Sequence, residues 1–189
     1  MIRQHPQLRR FIVARALLVG TALAPPYLVL LAANGTQRAA SLGGLVLAAA
    51  LAALLSSYVW GRFSDRSSRR VMVIAGALAA VALMLALGAQ WTGLARTQPW
   101  AIPVVLFLLM LSYHGVRQGR ATHLVDMAGP QTRAGFTAVS NTIVGCFLLL
   151  AGALGAVVAS VSVPIVIGLF LVMSVAGAYC AAQLQEVQT

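Results

Sequence analysis

The chain has 189 residues, 60% of them hydrophobic and only 8% charged, with a mean hydropathy of +0.90. Ordinary soluble domains are about 25% charged, so a soluble enzyme, a disordered tail and a coiled coil are excluded. The charged residues are 13 arginines and three acids (Asp65, Asp126 and Glu186), and the net charge of +10 sits on too apolar a chain for a nucleic-acid partner; the arginines read as membrane topology signals.

A membrane helix needs roughly 20 consecutive apolar residues. Six stretches qualify: about 11–33, 40–60, 71–90, 100–116, 136–160 and 163–183. None contains Asp, Glu or Lys, and runs such as 46–55 are apolar all round rather than alternating, which excludes barrel strands. The expected fold class is therefore an all-α membrane protein with six transmembrane helices, residues 1–189 forming one domain. The lipid bilayer is its first partner, and the bias to arginine, with no lysine, suits a bacterial inner (cytoplasmic) membrane protein.

The first span carries Arg15 one turn inside its start, where a long side chain can snorkel to the interface. Its length and the five spans after it argue against a cleaved signal peptide. Pro25 and Pro26 lie past its midpoint and are expected to kink or break it. Asn34-Gly35-Thr36 fits the glycosylation tripeptide but reads as chance in a short outer loop. The second span repeats a small residue every fourth position (Gly44, Ala48, Ala52, Ser56), and the fifth carries Gly145, Gly152 and Ala156. Such ridges let membrane helices approach closely, either within the chain or against a second one. Pro99, Pro103 and Pro164 fall where spans four and six begin, positions that tolerate proline. Cys146 and Cys180 lie inside apolar runs as small hydrophobes, so neither a disulfide, a metal nor any cofactor is expected.

Charge alternates between the loops. Eleven arginines (Arg3, Arg9, Arg10, Arg15, Arg62, Arg66, Arg69, Arg70, Arg117, Arg120, Arg133) lie on one side and two (Arg38, Arg96) on the other. The positive-inside rule then places both termini in the cytoplasm.

Between spans two and three the chain reads Gly61-Arg62-Phe63-Ser64-Asp65-Arg66-Ser67-Ser68-Arg69-Arg70. Gly61 suits a sharp turn as the chain leaves the helix. Asp65 can pair with a neighbouring arginine or accept from a helix N-terminus. Arg69 and Arg70 suit the headgroup level. This loop resembles the signature of the major facilitator superfamily of secondary transporters, roughly G-x-x-x-D-R-x-G-R-R, matched at Gly61, Asp65, Arg66, Arg69 and Arg70, with Ser68 where the family prefers glycine. The end of the fourth span, 112–120 continuing to His123 and Asp126, resembles the polar extension of the family's fourth helix, with Arg117, Arg120 and Asp126 as a cytoplasmic charge network. The stretch 135–142 and the opening Arg9-Arg10-Phe11 look more like a carboxy-terminal half.

The resemblance implies a six-helix half built as a 3+3 inverted repeat, working by alternating access with a second half. That half is a copy of this chain or a separate six-span chain; the rival is a truncated or non-transporting membrane subunit that needs a partner. By resemblance the first and fourth helices line the path, making Thr21, Tyr27, Tyr113 and His114 candidate substrate contacts, with Asn141 a further polar group in the fifth span. Each also has a plain structural role: interfacial anchoring for the tyrosines, a bond to its own helix for Thr21, helix capping for His114 and an inter-helix bond for Asn141. No carboxylate lies at membrane depth, so proton coupling would need Asp126, His114 or a group on the partner; the largely apolar cavity expected here suits a small hydrophobic or amphipathic solute. No buried Ser–His pair, H-E-x-x-H or G-x-S-x-G occurs, and no enzyme activity is expected.

Overall fold

The structure is a computed structural model that describes residues 6–33, 38–129 and 131–186. Arg3 and the 34–36 tripeptide lie outside the described residues. Within them every regular element is an α-helix, as expected where lipid offers the backbone no hydrogen bonds. Six helical stretches are long and apolar enough to cross a membrane.

The first span is broken into α1 (Pro6–Leu17), α2 (Gly20–Leu23) and α3 (Pro25–Ala33). The prolines account for the second break: neither Pro25 nor Pro26 has an N–H, so the carbonyls of Thr21 and Ala22 lose their helical donors. One turn earlier the helix tightens, with Val19 N donating to Ala16 O at 3.1 Å and Thr21 N to Leu18 O at 3.2 Å.

The second span is α4 (Arg38–Ser64) and the third α5 (Ser68–Trp91), followed by the single turn α6 (Leu94–Thr97). Ser67 caps α5, its Oγ accepting from Arg70 N at 3.1 Å. Gly93, at φ 79°, supplies the left-handed step between α5 and α6. The remaining spans are α7 (Ala101–Met127), α8 (Arg133–Ala159) and α9 (Val163–Ala182). Pro164 falls in the first turn of α9, as expected.

Helix α5 packs against both α7 and α9, while α4 rests on α7 and α1 on α9. Its core face is alanine: Ala75, Ala79, Ala82 and Ala86 are fully buried. Helix α7 answers with small residues. A Cβ on Gly115 would lie 2.6 Å from Trp60 Cε2, and one on Gly119 would lie 3.1 Å from the Ser68 carbonyl. Leu18 fills the space beside Gly76 and Gly177, locking the broken first span onto α5 and α9.

The small-residue ridge of the second span is used inside the chain. Ala52 and Ser56 are buried, and a Cβ on Gly44 would meet Pro103 Cγ of α7 at 2.8 Å. Of the two readings the sequence leaves open for this ridge, packing within the chain is the one these contacts follow. The opposite face of α4, including Leu47, Leu54 and Tyr58, is exposed. On α8 nothing lies within 4 Å of a Cβ built on Gly145, and Gly152 meets only Leu23 Cδ2 at 3.8 Å.

One end of the bundle is tied together by polar contacts. Ser64 and Thr122 share a hydrogen bond of 2.9 Å, Ser68 Oγ lies 3.1 Å from His123 Nδ1, and Arg69 reaches the Leu184 carbonyl at 3.1 Å. The start of α5 therefore meets the ends of α7 and α9. Phe11 of α1 stacks on the buried His123 ring, with centroids 5.5 Å apart.

Candidate functional site

The charged turn between α4 and α5 is tighter than its sequence suggests. Helix α4 runs through Gly61 to Ser64, so Gly61 is not the turning point; Asp65, Arg66 and Ser67 make the reversal. Ser67 rather than Asp65 caps the following helix. Ser68, standing where the resembling motif prefers glycine, needs no left-handed backbone: it is the first residue of α5, fully buried beside His123.

Arg69 is drawn away from the headgroup position expected of it. Its guanidinium lies 3.7 Å from Glu186 and donates to Leu184 O, while Ser67 Oγ donates to Glu186 at 2.6 Å. The end of the chain thus fastens the start of the third span. Arg66 and Arg70 are exposed. Asp65 is exposed as well, and within the described residues it makes no ion pair.

A second constellation lies where the first, fourth and fifth spans converge. Arg15 does not simply snorkel outward. Nη1 donates to Ser140 Oγ at 2.7 Å and Nη2 to Asn141 Oδ1 at 2.8 Å, both on α8. Nε is buried with no hydrogen-bond partner among the described residues. Both groups that orient the guanidinium are neutral, so they satisfy donors without offsetting charge.

Beside Arg15 is a cavity of about 130 Å³ bounded by α1, α2, α7 and α8. Thr21, Tyr113, Arg117 and Arg120 line it together with Arg15. Its apolar wall comes from residues such as Leu18, Val116 and Leu148. Thr21 is buried, and its hydroxyl donates to Leu18 O at 2.8 Å, so its free capacity toward the cavity is as an acceptor.

The structure thus gathers some of the sequence-derived candidates and separates others. Thr21 and Tyr113 share the cavity, and Asn141 holds its arginine. His114 faces a different cleft of about 290 Å³, with Ser56, Trp60, Gly61 and Gln118. Arg117 lines both spaces. The Tyr113 and His114 rings meet edge-on at 5.3 Å. Tyr27 packs on Phe170, with ring centroids 5.7 Å apart, and its hydroxyl closes the space beside Gly155. It does not line the arginine cavity. Asp126 is exposed near the end of α7 and does not line it either, whereas Arg117 and Arg120 do.

Sequence reasoning passed over Ser140 and underrated Arg15. The available signal was a pair of adjacent polar residues in the fifth span and a lone arginine inside the first.

No family model matches the chain, and neither a curated protein nor a solved structure matches it. The chain is a multi-pass membrane protein with six candidate spans.

Proposed function

We propose that this chain is a six-span half of a secondary transporter of the major facilitator type, moving a small amphipathic solute by alternating access. The observation that carries the reading is the cavity between the first and fourth spans, half polar and half apolar, beside a break in the first span. Broken helices and polar groups at a helix interface are how membrane carriers hold solutes. The helix contacts fit a 3+3 arrangement, whose inversion is part of the proposal. Exchanging spans one to three for spans four to six maps the α5–α7 contact onto that of α9 with the first span, and the α4–α7 contact onto that of α8 with α1.

On this reading the arginine-rich end faces the cytoplasm and the chain resides in the bacterial inner membrane. The second half is another copy of the chain. Asp65, exposed and without an ion pair among the described residues, is then available to the start of the partner copy's fifth span, near 134–136. Free N–H groups and the helix dipole make such a start a good seat for a carboxylate. The chain acts as a carrier and not as an enzyme.

Accessibility tests the reading. Ala22 is exposed and lines the cavity. A cysteine there, in a background with Cys146 and Cys180 replaced, should react with an impermeant reagent from the cytoplasmic side at rest. Reactivity from the other side should appear when solute is supplied. Reactivity from one face alone, whatever is added, assigns the chain to non-transporting membrane subunits instead.

A further inference from the structure

We infer that the cavity between the first and fourth spans is an anion site, and that the solute enters it by a carboxylate- or phosphate-type group. The inference rests on the carrier reading for its biological sense and deepens it by naming the substrate class. Three arginines, the part-buried Arg15 and Arg120 and the exposed Arg117, line one cavity of about 130 Å³. Like charges gathered in so small a space, at the edge of a low-dielectric bundle, repel one another unless a counter-charge joins them.

Among the described residues no acidic side chain supplies that counter-charge. All three of its acids lie in the described residues, and none lines the cavity. Asp65 is in the α4–α5 turn, Glu186 is engaged by Ser67 and Arg69, and Asp126 lies beyond the cavity on α7. Arg15 is oriented by neutral groups, Ser140 and Asn141, and its Nε is buried without an acceptor among the described residues. Each Nη keeps one N–H beyond these contacts, and a guanidinium held in place by neutral groups suits an anion as its next acceptor. The Tyr113 phenol on the same wall can donate as well.

Size limits what enters. Pockets that enclose a whole drug-sized ligand measure about 300–1,000 Å³. At about 130 Å³ the cavity holds an anionic head, while Leu18, Val116 and Leu148 begin an apolar surface for the group that bears it. Two sources present that chemistry: a free amphipathic anion and the headgroup of an anionic lipid.

The test uses the full chain in phosphatidylcholine nanodiscs, titrated calorimetrically with hexyl phosphate, inorganic phosphate and hexyltrimethylammonium. Hexyl phosphate should bind saturably, with inorganic phosphate weaker and the cation not binding. Arg15→Gln and Arg120→Gln should each weaken hexyl phosphate by about tenfold or more, as loss of a charge-assisted contact implies. Arg133→Gln, outside the cavity, should not. If Arg15→Gln fails to fold, Arg120→Gln alone carries the comparison.

Discs containing phosphatidylglycerol separate the two sources. A headgroup occupant lowers the apparent affinity for hexyl phosphate and is retained in native mass spectra of the wild type but not of Arg120→Gln. A free-solute site leaves the affinity unchanged. Both results support an anion site. No saturable anion binding in either disc, or equal weakening by Arg133→Gln, overturns it. Binding without transport ends the carrier reading and leaves the site standing; transport whose solute binding ignores Arg15 and Arg120 does the reverse.

Discussion

The Arg15 guanidinium of the first span donates to the Ser140 hydroxyl of the fifth at 2.7 Å, joining residues 125 positions apart. Ser140 is fully buried. Ser140→Ala removes the acceptor and leaves a donor of a charged group unsatisfied, which costs about 1–3 kcal/mol. Thermal unfolding of the purified protein in a neutral detergent should show a lowered midpoint. An unchanged midpoint would mean that the contact does not hold the first span to the fifth.

Glycines on the two sides of the bundle should respond oppositely. A Cβ on Gly115 meets Trp60 at 2.6 Å and Ala75 Cβ at 2.9 Å. Gly115→Ala should therefore destabilise by about 1–3 kcal/mol through overpacking. Gly145 lies within α8 with open space where its Cβ would be. Gly145→Ala should be neutral or stabilising by up to about 1 kcal/mol, because it removes backbone entropy from the unfolded chain. Equal losses at both sites would show that Gly145 is packed against another copy.

The six spans, their order and the break at Pro25-Pro26 were legible in the sequence because lipid demands long apolar helices and proline cannot complete them. Side-chain destinations were not. The ridge from Gly44 to Ser56 has the pattern of an intermolecular contact, but periodicity does not say which neighbour it meets, and α7 takes it. Gly61 looked like a turn because glycine permits one, yet lipid-facing helices continue through glycine when nothing interrupts their bonds. Arg15 looked like a snorkelling residue because its partners lie 125 and 126 positions away. Tyr27 and Tyr113 look alike in sequence, and only packing sends one to Phe170 and the other to the cavity.

Orientation is checked by cysteine labelling at exposed loop positions. Arg66 and Gln131 are exposed near the arginine-rich end, and Thr97 is exposed beyond the third span. Arg66→Cys and Gln131→Cys should label from the cytoplasmic side and Thr97→Cys from the opposite side. Ser68 is fully buried and would report folding instead of topology. Labelling of Arg66→Cys only from outside would invert the map.

Asp65 separates a gating role from a structural one. It is exposed and has no ion pair within the described residues, so Asp65→Asn should change stability by less than about 0.5 kcal/mol. If it seats on a partner's helix start, the same change should slow turnover and favour the cytoplasm-open state. A charge-assisted contact of about 1–3 kcal/mol shifts a two-state balance roughly tenfold or more. The rate of labelling at an Ala22→Cys position reports that balance.

The carrier claim is tested most directly by flux in liposomes. Purified chain is reconstituted into phosphatidylcholine vesicles loaded with hexyl phosphate, and exchange against labelled hexyl phosphate outside is followed over time. Exchange should saturate with concentration, be lost in Arg15→Gln and be slowed in Asp65→Asn. Exchange no faster than through protein-free vesicles, with the anion still bound in nanodiscs, would contradict the account of this chain as a transporter that works with a copy of itself.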